Sequence, residues 1–179
     1  MDIPEQPFLM IDGEGDPSQA PFQQGIGALY SAAFTLKFTF KKGRAIDFPV
    51  MPLEGLFGSD IAGGVPTEPE NFWHWTIMIT VPDLITPDDV AEAVAAAGKK
   101  KPNPALALVR LDRLSEGRVA QVLHIGPYAE EHATIEALHA FIAAEGYRPH
   151  GRHHEIYLSD PARTAPERMK TILRHPVEG

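Results

Sequence analysis

The sequence contains no cysteine. That absence excludes disulfide staples, thiolate metal centres and a cysteine nucleophile, and it agrees with a cytoplasmic chain. No apolar run reaches the roughly 18 residues that a membrane span needs, so no membrane partner is expected. The acidic start MDIPEQPFLMIDGEGD lacks the basic stretch and apolar core of a secretory signal. Positive charge is scarce: 16 Lys and Arg stand against 24 Asp and Glu, a net charge of −8. With no basic stripe to offset repulsion by phosphate, nucleic acid is not expected as a partner. The single cluster Lys99-Lys100-Lys101 precedes Pro102 and Pro104 and reads as a solvated helix end. Neither a phosphate-binding loop pattern nor a GxSxG elbow occurs.

What is present suits a globular protein: 44% hydrophobic and 22% charged residues in 179 positions. One domain over residues 1–179 is expected, as monomer or homodimer. Phe8 to Asp12 reads as a strand that ends in a Gly-rich turn. Asp16 is a plausible helix cap with Pro17 at the first helical position, and Gln19 completes a capping box. Apolar residues then recur at Phe22, Ile26, Leu29, Tyr30 and Ala33, which predicts a helix over 17–38. Strands follow at 48–57 and 72–81. Thr86, Pro87 and Asp89 open a second helix that Gly98 should end. Strands at 105–114 and 118–125 flank Ser115-Glu116-Gly117, read as a hairpin turn. A third helix at 130–145 and strands at 153–158 and 170–174 complete the chain.

The element order repeats. Residues 6–82 and 118–177 each read strand, helix, strand, strand, and 83–114 connect them. The expected class is therefore α+β, with duplicated βαββ (SHS2-type) units. Their antiparallel sheets lie side by side, with helices on one face and a ligand groove on the other.

Alternation sorts the strand residues. In HHEIYLSD, Ile156 and Leu158 should meet the helices, and His153, Glu155 and Tyr157 should face the groove. A carboxylate beside a phenol in a poorly solvated groove is a candidate for proton chemistry, against the bland alternative of an exposed strand glutamate. Trp73 and Trp75 share a face and could stack on a planar ligand or merely pack in the core. Glu54 and Phe57 lie on the strand matching that of Glu155, which would make Glu54 its pseudo-symmetric partner or a structural carboxylate. Tyr128, at a strand-to-helix turn, could point into the cleft or bond nearby backbone. His124 shares its face and could equally be structural. His153 and His154 should point to opposite faces, so the HxxHH spacing does not surround one metal, and no cofactor is implied.

Three segments carry a resemblance: FLMIDGEGDP…FQQGIGALYSAAFTLKF, VMPLEGLF, and LHIGPYAEEHATIEALHAFIAAEGYRPHGRHHEIYLSDPARTAPERMKTILRHPV with KKKPNPAL upstream. The chain resembles a stand-alone branch of the GyrI-like superfamily, kin to the effector domains of AraC-type and MerR-type multidrug regulators. The resemblance implies a βαββ duplication and a small, flat, hydrophobic ligand, cationic or electrophilic. It also implies a late-strand glutamate among aromatics, which is Glu155 with Tyr157 beside it. Members of that branch hydrolyse cyclopropanoid genotoxins. By likeness Glu155 would activate a water, Tyr157 or Tyr128 would stabilise the developing oxyanion, and Trp73, Trp75, Phe57 and Tyr30 would hold the ligand. The family pattern carries a tryptophan after MPLEGLF where Gly58 follows Phe57 here. Sequestration without turnover is the alternative expectation, and gyrase-type protein inhibition a third. A regulator would carry a helix-turn-helix extension of roughly 100 residues, so none of these readings is of a regulator acting alone.

Overall fold

The structure is a computed structural model that describes residues 1–58 and 74–179. Its strands are β1 (Asp2–Ile3), β2 (Gln6–Glu14), β3 (Leu53–Phe57), β4 (His74–Thr80), β5 (Arg110–Leu114), β6 (Gly117–Ile125), β7 (Arg148–Pro149), β8 (His153–Tyr157) and β9 (Lys170–Glu178). The helices are α1 (Ala20–Gly43), α2 (Pro87–Lys100) and α3 (Glu131–Ala144). No helix among the described residues is long and apolar enough to cross a membrane.

Local chemistry explains where these elements begin and end. The helix expected from Pro17 starts instead at Ala20, because Pro21 has no N–H to donate and fits only the first turn. Asp16 caps the preceding turn, its carboxylate accepting from the Ser18 N–H at 2.7 Å. In α2 the expected capping box forms: the Thr86 hydroxyl accepts from the Asp89 N–H, and the Asp89 carboxylate accepts from the Thr86 N–H. That helix runs past Gly98 to Lys100. β3 is confined to Leu53–Phe57, since Pro49 and Pro52 cannot donate to a ladder. Residues 105–108, expected in a strand, lie in a 3₁₀ turn (Pro104–Leu108) capped by the Asn103 side chain, which accepts from the Ala105 N–H at 2.9 Å.

The pairing is antiparallel throughout, in the order β1-β6-β9-β8-β3-β4-β2-β5, with β7 on the far end of β9. The succession β2-α1-β3-β4 supplies one half of the sheet and β6-α3-β8-β9 the other. They meet at the β3–β8 pair, where Gly55 lies opposite Glu155. β5 pairs with β2 and β6 with β9 and β1, so Ser115-Glu116-Gly117 is not the expected hairpin turn. It crosses between opposite edges of a sheet curled into a half-barrel. Glu116, within that crossing, reaches His154 on the central strand, which places the hollow of the curl away from the helices.

Three rows of residues on the helix side follow from the registers. One runs His124, Thr171, Tyr157 across β6, β9 and β8. The next runs Val122, Leu173, Glu155, Gly55, Ile77, Ile11. The third runs Ala120, His175, His153, Phe57, Trp75, Gly13. α1 and α2 cover the β2–β4 end, burying Leu9, Ile11, Leu29, Leu36, Ile77 and Ile79. α3 covers the other end through Ile135, Leu138 and Ile142 on Leu173. The class and layering agree with the expectation from the sequence, but the faces of β8 are exchanged. His153, Glu155 and Tyr157 lie on the helix side, and Ile156 turns away from it into the curl. Leu158 lies past the strand, exposed. Alternation separates two faces without saying which one is covered. Here the neighbouring strands decide, because the apolar residues of β2 and β4 bring α1 to that side.

Candidate functional site

Between the ground covered by α1 and that covered by α3, the helix side presents Glu155. Its side chain is 16% exposed, neither in bulk water nor sealed. The Tyr157 hydroxyl donates to Glu155 Oε2 at 2.7 Å, and His153 Nε2 stands 3.4 Å from Oε1. Burial, followed by the Glu155 charge it serves, pushes the Tyr157 phenol well above its ordinary range, so it remains a donor. Opposite Glu155 the strand carries only Gly55. A Cβ there would lie 2.7 Å from the Phe57 ring and 3.3 Å from the Tyr157 hydroxyl. The missing side chain leaves room for the aromatic floor beside the carboxylate.

The α3 side contributes Tyr128, whose ring meets Tyr157 edge-on at 5.7 Å and which is 42% exposed. It also contributes Glu131, buried at the first position of α3 with Oε1 making no hydrogen bond. Burial, with the nearby Glu155 charge, raises the Glu131 carboxyl to about 8. The Thr171 hydroxyl beside it offsets part of that rise. The α1 side contributes Tyr30, half-buried and stacked on Phe34 at 6.3 Å. Burial raises its phenol, partly offset by a hydrogen bond with the Leu53 backbone.

The remaining residues singled out from the sequence divide clearly. Phe57 and Trp75 are buried, packed on Phe22 at 6.3 and 5.0 Å between ring centroids. The Trp75 ring lies over Gly13, where a Cβ would collide with it at 2.2 Å. Trp75 therefore has no free face for stacking. Trp73 lies outside the described residues. His124 is buried and tied by Nδ1 to the Thr134 hydroxyl at 2.9 Å, which fixes the turn into α3. Glu54 is not the partner of Glu155 across the pseudo-dyad: it pairs with Ile156, and its side chain points into the curl. There it accepts from the Thr80 hydroxyl at 2.8 Å and meets His154 Nε2 at 2.9 Å. Gly55 takes the position expected of it. The reason is again the one-residue step that turns a strand side chain over.

Glu131 and the histidines joined to His153 escaped the sequence reading. Glu131 falls on the apolar stripe of α3 with Ile135, Leu138 and Ile142. A carboxylate at a core position of a helix was the signal. The histidines form a run behind Glu155. His153 packs on His175 at 5.9 Å between rings, and His175 Nδ1 lies 3.2 Å from His139 Nε2. Burial first, then its histidine neighbours, hold His175 down to about 4, so it is neutral.

The chain matches the GyrI-like small molecule binding domain over residues 1–178. It belongs to the GyrI-like family. An uncharacterized conserved protein from Listeria innocua is 40% identical, with a TM-score of 0.90 over 99% of this chain and 90% of that one. A protein described as a hydrolase from Listeria innocua is also 40% identical, with a TM-score of 0.86 and the same coverage of both chains. The EcmrR C-terminal domain shares the fold at 13% identity, with a TM-score of 0.58 over 99% of this chain and 94% of that domain. No protein of curated function matches. A GyrI-like domain binds small molecules. In this member, the surroundings of Glu155 join a carboxylate acceptor, phenol groups and aromatic edges, a set whose chemistry suits holding a flat molecule and moving a proton.

Proposed function

We propose that this GyrI-like chain takes a flat, hydrophobic, electrophilic small molecule into the recess at Glu155 and adds water across its strained cyclopropane ring. The observation that carries this reading is the Tyr157–Glu155 pair, a recessed carboxylate with one oxygen fixed by a phenol and the other beside His153. The 40% identical Listeria innocua protein described as a hydrolase supports turnover. The family resemblance supports the cyclopropanoid class.

In this mechanism Tyr30 and Tyr128 flank the ligand at the α1 and α3 rims. Glu155 Oε1 accepts a proton from water as the water oxygen bonds to the ring carbon. The breaking carbon–carbon bond sends its electron pair to the conjugated carbonyl. No redox step is needed, and the product is the ring-opened hydrate. Holding the water against the carbon contributes by orientation, and positioned proton transfer typically adds about 10²–10⁴-fold.

The test incubates the protein with a spirocyclopropyl cyclohexadienone and follows the water adduct by mass spectrometry. Glu155→Gln should lower the rate at least about a hundredfold while leaving the fold intact by circular dichroism. Equal turnover by this variant removes Glu155 from the chemistry. Saturable quenching of tryptophan fluorescence, with ligand recovered unchanged, instead assigns the protein to sequestration.

A further inference from the structure

The recess holds more acid than its proposed chemistry has yet used. Glu131 is 5% exposed, its Oε1 is buried without a hydrogen bond, and it stands near enough to Glu155 for their charges to interact. Two poorly solvated carboxylates whose charges interact do not both ionise readily, because each charge raises the cost of the other. Glu155 has the Tyr157 hydroxyl to stabilise its charge, whereas Glu131 has an orphaned oxygen. The surroundings of Glu131 therefore favour its carboxylic acid form. The start of α3 favours a negative charge at Glu131. Burial outweighs it, since the carboxyl stands at about 8.

We propose that Glu131 is the proton donor of the site, the acid that delivers a proton to the carbonyl oxygen of the bound ligand while Glu155 takes one from water. This rests on the hydrolytic reading above and completes its balance. The oxygen–carbon bond of the hydrate forms and the ring bond breaks. The electron pair reaches the carbonyl oxygen, and the Glu131 proton bonds there to give the neutral phenol. Glu155 is left protonated and Glu131 ionised, and solvent returns the proton to Glu131. Tyr157 cannot serve as that donor while it is committed to Glu155. Tyr128, whose phenol is raised by burial and by the Glu131 and Glu155 charges, is the weaker acid of the two that remain.

Among the described residues, Glu155 and Tyr157 face Glu131 from β8, Thr171 faces it from β9, and Tyr128 precedes it in the chain. His124 is held by Thr134.

The experiment measures the pH dependence of single-turnover hydrolysis of the spirocyclopropyl dienone by the parent, Glu131→Gln and Glu131→Asp. The parent rate should fall as pH rises through about 8, as the acid is lost. Glu131→Gln should be slowed at least about a hundredfold and should lose that alkaline limb, and Glu131→Asp should restore part of both. A glutamine that turns over at the parent rate, or that keeps the limb, overturns the assignment while leaving the hydrolytic reading in place. A second measurement is independent of turnover. Binding of menadione, a flat carbonyl compound, is followed by tryptophan quenching. The parent should bind it about tenfold more weakly at pH 9 than at pH 7, because the donor is lost. The glutamine variant, whose amide donates at both pH values, should bind equally at each. Absent binding, or equal parent affinity at the two pH values, overturns the donor role. A pH-dependent affinity with no turnover of the dienone keeps the donor and removes the hydrolysis.

Discussion

Strand β8 carries buried ionisable groups on both faces, and they are treated in opposite ways. On the side of the curl, His154 has no exposed surface, and both its ring nitrogens are engaged, with Glu116 at 2.8 Å and Glu54 at 2.9 Å. Arg174 closes the network on Glu116 at 2.7 Å, and Thr80 closes it on Glu54. On the helix side, Glu155 is satisfied on one oxygen, and behind it neither nitrogen of His153 makes a hydrogen bond. Glu131 Oε1 and His175 Nε2 are likewise buried without one. A saturated network fixes the halves of the sheet to each other. Unsatisfied polar atoms cost stability, and several of them gather on the helix side near Glu155. A polar cleft of about 510 Å³ also opens on the curl side, lined by Arg110, Arg113, Asp12 and Asp112. Arg110 is paired there with Asp12, and Arg113 with Glu5 and Asp83.

The sharpest way to break this contrast is His154→Leu. It leaves Glu54 and Glu116 buried without the cation between them, and should cost about 3–5 kcal/mol in urea unfolding. Turnover per folded molecule should stay at the parent level. Burial alone would lower the His154 pKa, but the bonds to Glu116 and Glu54 raise it above 6.5. Its contribution to stability is therefore full below pH 6.5 and fades as pH rises through the higher folded value, a fall that the leucine variant should lack. A loss of activity matching that of Glu155→Gln would show that the two faces are not separate.

Gly55→Ala acts at the seam of the two halves. The added carbon must displace the Phe57 ring and crowd the Tyr157 hydroxyl, so about 1–3 kcal/mol should be lost. Ligand affinity should fall with it, measured by tryptophan quenching. Unchanged affinity would place the ligand elsewhere than beside Gly55.

The smallest expected effect carries the opposite sign. A carboxyl whose folded pKa is raised from 4.5 to about 8 makes the folded state lose stability as pH climbs between those values. Glu131→Gln removes that loss. Its melting temperature should exceed that of the parent above pH 4.5, with the gap levelling off near 8. After discounting for solvent, the gain is on the order of 1–2 kcal/mol. Removing a group from the curl side destabilises the protein, whereas removing this one stabilises it. Equal melting curves at pH 8 would mean that Glu131 is already satisfied.

Much of the fold was legible because local rules carry it. The Thr86–Asp89 box, the 3.6-residue periodicity of α1 and α3 and the repeated βαββ order needed no tertiary information. The failures were equally specific. Pro21 moved the start of α1. Pro104 with Asn103 turned a strand into a 3₁₀ turn, and the link at Glu116 crossed the curl where a hairpin was expected. Within the site, Glu155 and Tyr157 were found as neighbours two apart on one face. Glu131 lies 24 positions earlier and was hidden by its place on an apolar helix stripe.

By itself the sequence determined the family, the α+β alternation and the shared face of His153, Glu155 and Tyr157, since each depends on spacing along one strand or helix. Only the tertiary structure decided that this face lies under the helices, that Gly55 and not Glu54 stands across from Glu155, and that the buried Glu131 comes near Glu155. Those facts depend on sheet curl and register between distant segments. A shift of one residue there reverses every side chain, and alternation within a single strand reads the same either way.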